Sequence, residues 1–255
     1  YDEYSMLDPK ERKKWIKQSA PEKKMDISKG DIRNPYEITV DAETENKLLV
    51  KSIAVSGYGK DAPDAENIRN GRKQYIIPGS SLKGVFRKES ERIAAYLKCQ
   101  KDVIDCAYGC ANNGDEKGFI GNLRFYDVVV GDWKTNDQAP IRTRIRIDKF
   151  TGGAMNNALF SEKNIHGKMT IHMSVQKNGN EDTSLALLLM TLRDMANKMV
   201  TVGSGSNVGK GYLNIKSVNI ACADGNTLVL DFDKNSIEDK NGILPRVLSS
   251  LVSEG

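Results

Sequence analysis

The sequence predicts an α+β fold with elements in the order strand, helix, strand, strand, helix, strand. Two observations lead there. Segments rich in β-branched residues with partial period-two alternation are interleaved with two long stretches whose apolar residues recur at helical spacing. Clusters of glycine, proline, serine and asparagine punctuate the chain between them. The 255 residues suffice for one large domain with insertions, and 39% hydrophobic against 28% charged residues excludes a disordered chain. No run of eighteen apolar residues and no signal-peptide pattern is present, so a cytoplasmic protein is expected. A net charge of +4 does not decide for or against a nucleic-acid partner, because distribution matters more than the sum.

Residues 1–46 read as a charged N-terminal extension, or as the end of a linker in a fused polypeptide, since the chain opens on Tyr1 and carries the basic stretch Lys10–Lys17. An extended segment is plausible from Pro35 to Val40, but Leu48–Val55 is the better first-strand candidate by its β-branched content. Gly57–Gly71 is a long loop by turn chemistry. Ser80 or Ser81 can then cap a helix over 81–98, whose Leu82, Val85, Phe86, Ile93 and Leu97 share one face. A Cys- and Gly-rich insertion fills 99–121, and Leu123–Val130 is the second strand. A thumb-like segment spans 131–167 and leads to a strand at Lys168–Val175. An apolar helix covers Ser184–Val200, a glycine loop runs from Gly203 to Gly211, and the closing strand is Tyr212–Ile220. A short strand at Thr227–Phe232 and a short helix near 243–251 complete the chain. The order matches the split βαβ pattern of ferredoxin-like, RRM-like domains, so residues 47–255 are expected to form one such palm with insertions.

Several segments carry chemistry. The Gly-Ser-Ser turn at 79–81 places backbone N–H groups at a helix start, where they favour phosphate, and Lys83 and Arg87 stand one helical turn apart behind it. An ordinary helix cap followed by solvated charges would look the same. Arg142, Arg144 and Arg146 alternate, so an extended strand projects them to one face; a protective edge strand is the plainer reading. Gly203, Gly205 and Gly209 allow close backbone approach, with Lys210 beside them. The loop is neither a Walker motif nor a dinucleotide fingerprint, because its spacing is wrong and it precedes a strand. Three of the four cysteines, Cys99, Cys106 and Cys110, fall within twelve residues, which suits a structural Zn2+ in a reducing compartment. The fourth ligand is open between His166, Cys222 and His172, with His166 favoured.

Four of these pieces, in this order, resemble RAMP proteins, the repeat-associated family that coats CRISPR guide RNA. They are Pro78–Arg87, Leu123-Arg-Phe-Tyr-Asp127, Arg144–Ala154 followed by Leu159, Phe160 and Glu162, and Gly203–Gly211. The pattern is most similar to the repeated backbone subunit of type III effector complexes. The resemblance implies guide-RNA contacts from Ser80, Ser81, Lys83, Arg87, Arg142, Arg144, Arg146, Lys149, Gly203, Gly205, Gly209 and Lys210. It also implies neighbouring RAMP subunits and complementary target RNA as partners, and a thumb that wedges between guide–target base pairs. In such subunits an aspartate in an Asp-x-x-x-(Ile/Val)-Arg pattern cleaves target RNA, with Mg2+ a candidate cofactor. Here Asp64-Ala-Glu-Asn-Ile-Arg69 fits, Asp61 is the nearby competitor and Glu66 a weaker one. A subunit that only shapes the guide is the alternative. A repeat-processing nuclease of the same superfamily fits less well, since His166 and His172 are the only histidines and neither lies in an early helix.

Overall fold

A computed structural model describes residues 34–52, 63–100, 102–111 and 118–252. In chain order the elements are β1 (Tyr36–Thr44), β2 (Ile76–Ile77), α1 (Gly79–Leu97), α2 (Asp102–Tyr108), β3 (Leu123–Phe125), β4 (Val128–Val129), α3 (Trp133–Asp137), β5 (Ile141–Ile147) and β6 (Ala154–Lys163). There follow β7 (Lys168–Val175), α4 (Glu181–Ala196), β8 (Leu213–Cys222), β9 (Thr227–Asp231), β10 (Ser236–Asp239) and α5 (Ile243–Val252). Six strands form one antiparallel sheet in the order β10-β9-β8-β1-β7-β3, while β5 and β6 pair as a separate hairpin, with Ala65 bridging Glu162 on its β6 edge.

The first strand corrects the sequence reading twice. It is β1, inside the segment 1–46 read as an extension, and it lies between β7 and β8 in the middle of the sheet. Its period-two pattern is complete: Tyr36, Ile38, Val40 and Ala42 are buried, while Glu37, Thr39, Asp41 and Glu43 face outward. Leu48, Leu49 and Val50 are instead buried in succession, as suits a connector covered on all sides. Their backbone partners lie elsewhere: Leu48 pairs with Ile165, the Val50 N–H donates to Asn67 Oδ1, and the Ser204 N–H donates to Leu49 O. Residues 53–55 of that expected strand lie outside the described residues.

The inner face of the sheet carries the core. Met169, Ile171, Met173 and Val175 of β7 join Leu213, Val218 and Ile220 of β8 there. α4 is apolar nearly all round, with Leu185, Leu187, Leu188, Leu192 and Met195 buried, because it packs against the sheet, α1 and α5 together. α1 contributes Leu82, Phe86 and Ile93, and the Phe86 ring meets Phe125 at 5.1 Å between centroids. The expected strand over 123–130 is broken in two by Tyr126 and Asp127, and the break serves α1. Neither Ser80 nor Ser81 caps the helix through its side chain; the Gly79 N–H donates to Asp127 Oδ1 at 2.8 Å.

Two glycines of α1 should therefore respond oppositely to alanine. A Cβ on Gly79 would stand 2.3 Å from the Phe125 carbonyl oxygen, whereas one on Gly84 meets nothing within 4 Å. Gly79→Ala is expected to destabilise by about 1–3 kcal/mol, and Gly84→Ala to stabilise by up to about 1 kcal/mol, both read from urea midpoints.

Candidate functional site

The site grows from the end of β6. Ser161, Glu162 and Lys163 each bind a different part of the chain. The Ser161 N–H and hydroxyl both donate to Asp64 Oδ2, at 2.6 and 2.9 Å, and the Asp64 N–H donates to Ser161 Oγ at 3.0 Å. These bonds, the backbone one foremost, hold the Asp64 carboxyl below the usual carboxylate range, so it is ionised at neutral pH. Asp61 lies outside the described residues.

Glu162 is buried and is held by two cations, Lys210 from the glycine loop and Arg144 from β5, the latter at 2.8 Å. Burial alone would push the Glu162 carboxyl up, but hydrogen bonds from Lys210 and Asn164 and the charges of Lys210 and Arg144 outweigh it, leaving a net downward shift. Lys210 is only 3% exposed. Expected as a cation for phosphate, it is an internal partner of Glu162 that ties the glycine loop to the hairpin. Lys163 Nζ donates to Asp137 O at 2.6 Å, and its own carbonyl accepts from the buried Asn67 side chain at 2.9 Å. Asn67 also bonds Leu48 and Val50. The Arg69 guanidinium lies 4.3 Å over the Tyr75 ring and pairs with Asp137 at 3.0 Å and with Glu66. The loop carrying Asp64 is thus anchored on both sides, and Glu66 is occupied structurally. Asn67 and Ser161 had no signal in the sequence beyond their residue types.

The hairpin stands away from the core. Cross-strand pairing puts Arg142, Arg144, Phe160 and Glu162 on one face, and Ile141, Thr143, Ile145, Leu159 and Ser161 on the other. Arg142, Arg146, Lys149 and Phe150 are exposed. At the hairpin base, burial and the charges of Arg142, Arg144 and Lys210 lower the Lys47 pKa, which marks a concentration of positive charge that Glu162 only partly offsets. Gly203, Gly205 and Gly209 all have positive φ, and a Cβ on Gly203 would fall 2.5 Å from Leu49 O, so the loop turns tightly over the Leu48–Val50 connector.

A second basic cluster lies on α1. Lys83 is half-buried, and its pKa is lowered by that burial and by the neighbouring charges of Arg124 and Arg87. Arg87 differs from the expectation of a free RNA contact. It bonds Glu91 at 2.9 Å, Gly109 O at 2.9 Å and Asp105 at 3.3 Å, fastening α1 to the cysteine insertion. Ser80 is exposed at the helix start.

Cys99, Cys106 and Cys110 line one cavity beside α1 and α2. His166 lies outside it, exposed, with its N–H donating to Asn136 Oδ1 at 3.0 Å; His172 and Cys222 belong to β7 and β8. Among the described residues no group of three or more His, Cys, Asp and Glu side chains is assembled to hold a metal.

The outer face of the large sheet is of opposite character. Glu37, Thr39, Asp41 and Glu43 of β1 alternate outward beside Lys168, Thr170 and His172 of β7, and no Phe, Tyr or Trp occupies an outward position of these two strands. A cavity of about 850 Å³ there is lined by Asp41, Glu43, Asp127 and Asp233 as well as two lysines. RRM-type recognition stacks bases on aromatic residues of the sheet; β1 and β7 offer none outward, and the exposed Tyr126 that follows β3 stands beside Ser174 at the edge of this face.

Replacing Glu162 by Gln should leave the Lys210 ammonium buried beside a neutral amide and cost about 3–5 kcal/mol in urea unfolding. The double variant Glu162→Leu with Lys210→Met should recover most of that loss; a Glu162→Gln protein as stable as wild type would show that the pair carries no load.

Among the described residues no helix is long and apolar enough to cross a membrane. No curated protein matches the chain. Among solved structures, it is similar to a chain of a type III-B Cmr-beta complex determined by cryo-EM in its apo state, with a TM-score of 0.52 and 11% identity over 72% of this chain and 97% of that one. At that identity the likeness speaks for the fold. The model of the RAMP superfamily matches residues 56–214, more than half of the chain, and the chain belongs to that superfamily.

Proposed function

We propose that this chain is a guide-RNA-binding backbone subunit of a type III-like CRISPR effector complex, and that it cleaves paired target RNA with Asp64. Its palm is of ferredoxin-like type: β8, β1, β7 and β3 lie side by side, and α1 and α4 form the two crossovers. The likeness to a chain of a type III-B Cmr-beta complex supports placing it among similar subunits. One observation carries the reading. An ionised aspartate is hydrogen-bonded to the base of an exposed, arginine-bearing hairpin.

Guide RNA then runs over the basic side of the molecule, along the hairpin, the glycine loop and Lys83 with Arg124, and away from the acidic sheet face. Arg142, Arg146 and Lys149 meet phosphates, while the apolar side of the hairpin enters between bases. In the cleavage step the 2′-hydroxyl of a target nucleotide attacks the adjacent phosphorus. The P–O2′ bond forms, the P–O5′ bond breaks, the 2′-hydroxyl proton passes to water, the departing O5′ takes up a proton from water, and the products end in a 2′,3′-cyclic phosphate and a 5′-hydroxyl. With its lowered pKa, Asp64 stays ionised and is a weak base, so its part is to accept a hydrogen bond that orients the 2′-hydroxyl. A divalent cation such as Mg2+ needs only one or two carboxylates besides RNA oxygens, which Asp64 fits, and would supply charge at the reacting phosphate. A structural zinc on Cys99, Cys106 and Cys110 belongs to the same proposal, supported by the cavity they share.

In the assembled complex, Asp64→Asn should lower cleavage at this subunit's position by about a hundredfold or more while target binding persists. Full cleavage by that variant would remove Asp64 from the reaction, whereas a wild-type complex that binds target without cutting at this position would leave a guide-shaping scaffold as the function. Lys83→Glu should weaken guide binding for any sequence and flatten its salt dependence by about one unit of slope; unchanged binding at low salt would remove Lys83 from the interface. Metal analysis of the purified protein should give about one zinc per chain, and folded, assembling protein without zinc would refute that site.

A further inference from the structure

We propose that Ser161 is a positioning residue for Asp64, so that the hairpin sets the geometry of the cleaving carboxylate. The inference rests on Asp64 being the cleaving residue. Asp64 itself is exposed, between the buried Pro63 and the half-buried Ala65, and a lone exposed carboxylate samples many rotamers. Here both hydrogen bonds from Ser161 fall on a single oxygen, Oδ2, one from the backbone N–H and one from the hydroxyl. The same hydroxyl accepts from the Asp64 N–H, so it donates once and accepts once. Ala65 extends the seam: its N–H donates to Ser161 O at 3.1 Å, its carbonyl accepts from the Lys163 N–H at 2.9 Å, and it bridges Glu162 in parallel register. Asp64 is therefore stitched along β6 as a short added strand. Ser161 is placed in turn by its pairing with Thr143 on β5 and by the buried Glu162 beside it. A hairpin wedged into a guide–target duplex would carry the carboxylate with it to the distorted nucleotide.

The test uses the assembled complex with guide, in single-turnover cleavage of a complementary target RNA, with target binding measured in parallel. Ser161→Ala keeps the backbone N–H and removes the hydroxyl. It should slow cleavage roughly 10- to 100-fold, the range for a hydrogen bond to a charged group, without changing target affinity. Ser161→Thr keeps the hydroxyl and should restore the rate. Ser161→Ala added to Asp64→Asn should slow cleavage no further than Asp64→Asn alone. Wild-type cleavage by Ser161→Ala beside an inactive Asp64→Asn overturns the role of Ser161 and leaves Asp64 standing. Full cleavage by Asp64→Asn overturns the Asp64 reading itself. Equal loss of target binding and cleavage in Ser161→Ala, or no rescue by threonine, makes Ser161 merely structural and also overturns the proposal.

Discussion

The buried ion pair between Glu162 and Lys210 fixes the geometry on which the hairpin, the glycine loop and the Asp64 loop depend. A carboxylate and an ammonium taken out of water recover their desolvation only through close contact and further hydrogen bonds, and Glu162 has these from Arg144 and Asn164. Three separate segments meet at that point: the end of β6, the glycine loop that leads into β8, and β5. The hairpin has little core of its own, since β5 is exposed along nearly its whole length. Its orientation is therefore decided at its base. Ser161 and Lys163, on either side of Glu162, extend the same joint to the Asp64 loop and to α3.

The sheet explains why the proposed RNA path lies at the periphery. α1, α4 and α5 cover one face and the apolar side of β1, β7 and β8 packs under them, leaving an outer face with Glu37, Asp41 and Glu43 on its central strand. The cavity on that face sets four carboxylates against two lysines, a poorer setting for a phosphate backbone than the basic clusters at its edges. Positive charge collects instead where elements leave the sheet: at the hairpin base around Lys47 and at the start of α1 around Lys83 and Arg124. A net charge of only +4 therefore does not preclude local basic clusters, since distribution matters more than the sum.

What the sequence made legible follows the range of the physics. α1 and α4 were readable because helical periodicity is local, and the observed bounds Gly79–Leu97 and Glu181–Ala196 differ from the expected ones by a few residues. β1, legible only as an extended segment from Pro35 to Val40, ranked below Leu48–Val55 as the first strand, since a run of aliphatic residues looks more like a strand than one alternating with acids. The helix cap was expected from Ser80 or Ser81 and comes from Asp127, 48 residues onward. Arg87 and Lys210 were legible as charges but not as partners of Asp105 and Glu162, because an ion pair between distant segments leaves no mark on either. Of the hairpin arginines, Arg142 and Arg144 share the face that a local alternation predicts, but Arg144 is held by Glu162 and the pairing shifts register between Ile145 and Ile147.

The central claim is that RNA follows the hairpin, glycine loop and Lys83 side of this chain and avoids the acidic sheet face. Ultraviolet cross-linking of the guide-loaded complex, with the linked residues mapped by mass spectrometry, tests it most directly. Cross-links should concentrate in residues 142–160 and 203–209 and around Lys83 and Arg124. Cross-links concentrated instead on the outward residues of β1 and β7, at Thr39, Thr170 and His172, would contradict the account.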